Sequence, residues 1–131
     1  MKITADTNVL VRALTEDQAE QSKAAQMALS KADIVALTMP TLCELVWVLQ
    51  GYKIGPNDIA GAIRGLLNGA NVVVNRQAAE AGLGQLDAGG DFADGVIAYE
   101  GNWLGADTFI SFDRKAVKLM TAQGKSARLL S

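Results

Sequence analysis

A chain of 131 residues, half of them apolar and 5% aromatic, can bury an aliphatic core without a disulfide or structural metal to staple it. Its single cysteine, Cys43, excludes an internal disulfide and a cysteine-rich zinc site, and the absence of histidine excludes imidazole acid–base catalysis, Ser-His-Asp triads and His-ligated metals. The net charge of −2 is unevenly spread: from Asp113 onward five bases (Arg114, Lys115, Lys118, Lys125, Arg128) meet one acid, 5 − 1 = +4, leaving −2 − 4 = −6 for the residues before them.

In chain order, residues 2–5 read as a first strand, with Asp6 as N-cap of a short helix over 7–13. Thr15, with Gln18 completing a capping box, is expected to start a longer helix over about 16–32, buried through Ala25, Ala28, Leu29 and Ala32. Residues 34–38 form a second strand, apolar on both faces as a buried parallel strand requires. Pro40 opens a helix over about 41–52. The run 55–58 reads as a turn, followed by helical spacing of Ile59, Ile63, Leu66 and Leu67 up to Gly69. Val72-Val73-Val74 is a third strand, and a weak helix diluted by Gly82 and Gly84 starts near Gln77. Asp91 caps a helix from Phe92 to about Leu104. Strand four spans 108–112, Asp113 caps a helix over 114–122, and 127–130 is a fifth strand. No repeat, low-complexity segment or linker interrupts this pattern, which predicts one domain over 1–131.

Strands separated by helices imply parallel pairing, with ligands bound beyond the carboxyl ends of the strands. Asp6 and Asp113 end strands, Glu44 lies early in the helix after strand two, and Asp94 lies in the first turn of the helix feeding strand four. All four therefore belong to one edge. Each has a plainer reading: Asp6 and Asp113 as helix caps, and Asp94 as a first-turn acid favoured by the helix dipole. Glu44 sits in the apolar run 42–49, where a buried carboxylate needs a metal or a salt bridge, for instance to Arg12. Converging carboxylates without His or Cys make an all-oxygen site suited to Mg²⁺, or Mn²⁺ in its place. A hard dication relieves their mutual repulsion and activates water on a phosphodiester without a histidine base.

Asp6-Thr7-Asn8-Val9-Leu10, Glu44, Asp94-Gly95-Val96-Ile97-Ala98 and Ser111-Phe112-Asp113, in that order and spacing, closely resemble the PIN-domain family, and within it the VapC-type toxins of type II toxin–antitoxin pairs. The resemblance covers essentially the whole chain. It implies a three-layer α/β/α sandwich on a central, mostly parallel five-stranded sheet. The implied activity is Mg²⁺-dependent endonucleolytic cleavage of single-stranded or loop RNA, leaving a 5′-phosphate and a 3′-hydroxyl. Asp6 and Asp94 would be metal ligands, Glu44 a ligand or an activator of the attacking water, and Asp113 a ligand to the same or a second metal. Thr7, Asn8 and Ser111 would orient the carboxylates. Gly95 and Ser111 stand where the family usually has Ala and Thr; the first is expected only to loosen its helix slightly. Implied partners are a second copy of the chain and an antitoxin that blocks the site and carries the operator-DNA binding.

RNA affinity needs local bases, and Arg12, Arg114, Lys115 and Lys118 are the candidates, with plain surface charge as the alternative. Scarce aromatics argue against reading RNA by extensive base stacking. Trp47 is either a partner anchor or a core residue. A haloacid-dehalogenase-type phosphatase would want an Asp where Asn8 stands, and a phospho-receiver would want its acceptor Asp where strand three gives Val74-Asn75. A catalytically silent binding module leaves Glu44 unexplained. No stretch approaches the roughly 18 apolar residues of a membrane span, and no signal segment is recognisable at the N-terminus, so a cytoplasmic location is expected.

Overall fold

The computed structural model describes residues 1–131, which divide into two compact units, Met1–Arg76 and Gln77–Ser131. The first contains β1 (Lys2–Thr4), α1 (Thr7–Thr15), α2 (Ala19–Lys31), β2 (Ile34–Leu37), α3 (Met39–Gly51), α4 (Pro56–Leu67) and β3 (Val72–Val74). Its sheet has the order β1-β2-β3, all parallel, with Ile3 opposite Val35 and Ala36 opposite Val73. Val35 and Leu37 are buried while Ile34 and Ala36 are only half covered, so one face of the central strand carries most of the core.

Helical spacing explains the rest of that core. On α3, Leu42, Leu45, Val46 and Leu49 recur at three- and four-residue intervals and are at most 1% exposed. Ile59, Ile63 and Leu67 do the same on α4. The expected turn at 55–58 is instead the first turn of α4, with Gly55 as cap and Pro56 at the position where a missing N–H is harmless. Thr15 does not cap a helix. It closes α1, returns its hydroxyl to the Val11 carbonyl, and is followed by Glu16 in the left-handed conformation (φ 56°). Gln18 stands at the N-cap of α2 without a side-chain cap bond. That helix buries only Ser22 and Ala25; Leu29 and Ala32 are half-buried and Ala28 is exposed, because its small residues leave a narrow stripe.

The second unit contains α5 (Arg76–Asp87, whose first residue belongs to the preceding unit), α6 (Phe92–Trp103), β4 (Phe109–Ser111), α7 (Arg114–Ala122) and β5 (Ala127–Leu129). Its core is Ala78, Ala79, Leu83, Leu86, Phe92, Val96, Ala116 and Met120. β4 and β5 pair in parallel, Phe109 opposite Ala127 and Ser111 opposite Leu129. The five strands thus form a three-stranded and a two-stranded sheet, where a single five-stranded sheet was expected. Strands of three or four residues expose few ladder groups, and hydropathy reveals strands without their pairings.

The glycines of α5 and α6 do not dilute these helices; they permit a close crossing. A Cβ on Gly82 would meet the Phe92 ring at 2.6 Å, and one on Gly95 would stand 2.3 Å from the Ala81 carbonyl oxygen. Gly95 is therefore a packing requirement, where the sequence suggested only a looser helix.

Candidate functional site

The candidate acids are distributed over both units. In the first, Ala5 continues β1 by one residue through its N–H to the Ala36 carbonyl (3.4 Å), which delivers Asp6 at the strand's end. Asp6 is exposed and caps α1, its Oδ1 accepting from the Val9 N–H at 3.1 Å. The next residue, Thr7, donates its hydroxyl to Glu44 Oε1 at 3.1 Å, linking the start of α1 to α3. Asn8 is exposed beside them.

Glu44 itself is exposed, contrary to the burial expected of it. The run 42–49 is apolar in composition, but its inward positions are 42, 45, 46 and 49, and Glu44 and Trp47 fall on the outer face. No desolvation argument then forces a metal or a salt bridge on Glu44. Arg12 is engaged elsewhere, with Nη1 3.2 Å from Asp17 Oδ1 and Nε donating to Gln21 Oε1 at 2.8 Å. The Thr15 hydroxyl, with lesser help from Tyr52 and Arg12, holds the Asp17 carboxyl below its ordinary value against the opposing effect of burial.

In the second unit Asp91 caps α6 (Oδ1 to the Ala93 N–H, 3.1 Å) and Asp113 caps α7 (Oδ1 to the Ala116 N–H, 3.1 Å). The capping reading of Asp113, like that of Asp6, is realised. Each cap uses one carboxylate oxygen. The Ser111 hydroxyl accepts the Asp113 N–H at 2.9 Å, so it fixes the backbone that carries the carboxylate. Asp94, half-exposed in the first turn of α6, has its carboxyl pushed up, first by burial and then by the negative charges of Asp91 and Asp113. Asp91 reads from the sequence as a cap that could also approach the site; its electrostatic effect on Asp94 follows from the two lying close together at the start of α6.

The structure thus joins Thr7 to Glu44 and sets Asp91 and Asp113 within electrostatic reach of Asp94. No group of three or more Asp, Glu or Cys residues is close enough to hold a metal ion. Arg114, Lys115 and Lys118 are exposed on α7. Sequence reading did not foresee a cavity of about 780 Å³ in the second unit, lined among others by Gln77, Glu80, Tyr99, Asn102 and Lys125; no candidate acid lines it. Asp107 accepts the Thr108 hydroxyl at 2.8 Å.

A parallel α/β chain with carboxylates at its strand ends and helix starts, and no histidine, offers only oxygen donors at those positions. The PIN domain family matches residues 3–119, a span containing every candidate acid, and the chain belongs to that family. Membership carries a nuclease-type hydrolase function in general. No curated protein matches the chain. No helix is long and apolar enough to cross a membrane.

Proposed function

We propose that this protein is a Mg²⁺-dependent endoribonuclease and the toxin of a type II toxin–antitoxin pair, with the whole chain acting as one nuclease domain. The observation that carries the reading is the family match over 3–119, a span that contains Asp6, Glu44, Asp94 and Asp113. The donor chemistry agrees: every candidate ligand is a hard carboxylate oxygen, fit for Mg²⁺ or Mn²⁺ and unfit for a soft ion. The raised carboxyl of Asp94, crowded by Asp91 and Asp113, is the electrostatic situation that a cation relieves.

Asp6, Glu44, Asp94 and Asp113, which the structure does not gather into one cluster, would be the residues to hold the ion, whose chemistry would be charge neutralisation at the phosphodiester and activation of water. The chain's own contribution is preorganisation. Val9 and Ala116 N–H groups fix one oxygen of Asp6 and Asp113, leaving the second for ligation. The Thr7 hydroxyl holds Glu44 on the exposed face of α3, where it can ligate or take the proton of the attacking water. Asn8 would support Asp6, and Ser111 supports Asp113 through its backbone. Arg114, Lys115 and Lys118 would bind RNA phosphates, while Arg12, already paired, would contribute less. A homodimer and a cognate antitoxin that reaches operator DNA belong to the same proposal.

The test is induced expression in a bacterium of the wild type against Asp94→Asn, with RNA cleavage by the purified proteins followed in parallel. Growth arrest and RNA fragments are expected from the wild type alone, and chelation abolishes the fragments. Equal growth with intact RNA in both would refute the reading.

A further inference from the structure

Trp47 is 75% exposed, although it lies in the most apolar helix of the first unit. It stands three residues after Glu44, one helical turn along the same outer face. Helical side chains lean back toward the N-terminus, the direction in which Glu44 lies. Glu44 in turn receives the Thr7 hydroxyl, next to Asp6. The ring thus lies on the same face as the candidate residue Glu44 of the first unit.

Two features of its surroundings identify what such a ring would hold. It is the single large apolar side chain exposed on α3, and Pro40, Glu44 and Gln50 make up most of the remaining exposed surface. One exposed ring, beside Pro40 and flanked by the polar Glu44 and Gln50, is a small apolar patch for a protein to dock on. The nearby acids also repel a polyanion, and Arg12, a base carried by the same α1 as Asp6 and Thr7, is neutralised by Asp17. A base–indole stack would give RNA an uncharged contact on this face, whatever the base.

We propose, resting on the nuclease reading above, that Trp47 is a substrate-positioning residue that stacks one unpaired nucleobase of the RNA beside Glu44. This confines cleavage to strands whose bases can be splayed from a duplex.

The test compares wild type, Trp47→Ala and Trp47→Phe on a fluorescein-labelled single-stranded RNA that the wild type cuts, and on the same RNA with one abasic nucleotide near the cut. Thermal unfolding confirms that each variant is folded. Trp47→Ala should raise KM roughly 5- to 150-fold, the loss that accompanies one stacked base, with kcat changed by no more than about twofold. Trp47→Phe should recover most of the loss, and the abasic RNA should give wild type and Trp47→Ala the same KM. An unchanged KM in folded Trp47→Ala, or a loss that Phe does not recover, overturns the inference while RNA cleavage stands; the ring would then belong to a protein interface. Wild type that cuts no RNA overturns the nuclease reading itself.

Discussion

Replacing Gly95 with Ala sets two effects of opposite sign against each other. In an ordinary helix interior the change stabilises by about 0.8–1.0 kcal/mol through helix propensity. Here the new Cβ would stand 2.3 Å from the Ala81 carbonyl oxygen and 2.9 Å from the Gly82 Cα, both backbone atoms that cannot rotate away. Reaching even 3.0 Å requires 3.0 − 2.3 = 0.7 Å of separation between α5 and α6. Overpacking typically costs about 1–3 kcal/mol, and rigid neighbours place this case at the upper end. The net effect is a loss of about 2 kcal/mol. With an unfolding entropy of about 2.1 cal/mol/K per residue over 131 residues, Tm should fall by about 7 °C. Thermal unfolding followed by circular dichroism measures this directly. Asp94 immediately precedes Gly95, so the same displacement shifts its carboxylate. Since a misplacement of about 1 Å costs about 100-fold, kcat for RNA should fall about tenfold or more. A Tm at or above that of the wild type would refute the reasoning, because propensity alone would then dominate.

Asp94→Asn should raise the Tm of the metal-free protein at neutral pH while abolishing RNA cleavage. The folded-state carboxyl lies above its ordinary value of 3.8, so the wild type loses stability as pH rises through that range. The gap between variant and wild type should therefore be widest at neutral pH and close below about pH 3.8, where both side chains are uncharged. A wild type more stable than the variant at pH 7 would show that Asp94 gains more from its surroundings than it loses. Gln85→Met should be neutral or stabilising by up to about 1 kcal/mol in denaturant unfolding. Gln85 is fully buried and its Nε2 finds no protein partner, whereas Gln123, which donates to its Oε1 at 2.8 Å, is exposed and can turn to solvent. A loss above about 2 kcal/mol would mean that the amide is satisfied after all.

Much of the element order was legible because it rests on local chemistry. Asp6, Asp91 and Asp113 announce helix starts by their capping chemistry, and Ile59, Ile63 and Leu67 repeat at the helical period. The candidate acids were legible for the same reason, since the strand ends and helix starts that carry them are local features. What failed was whatever depended on which way a helix faces or how strands pair. Glu44 seemed buried because composition around it is apolar, yet the phase of α3 turns it and Trp47 outward. A phase difference of one residue separates the two readings, and the run 42–49 holds too few polar residues to mark its outer face. Gly95 is invisible as a close contact because its neighbour, Ala81, lies in another helix. The two-sheet arrangement lies beyond hydropathy altogether, which carries no information on partners.

The side-chain amide of Asn71 donates to two carbonyls at once, Leu29 O at 2.8 Å and Ala32 O at 2.9 Å. It thereby closes the C-terminal end of α2 from the turn that precedes β3. Among neutral side chains only an amide nitrogen can serve two acceptors in this way. Spontaneous hydrolysis of that amide would replace a double donor by a carboxylate facing two carbonyl oxygens, turning a clasp into a point of repulsion. Ageing of the purified protein should therefore appear first as faster amide hydrogen exchange in the last turn of α2, far in sequence from the altered residue.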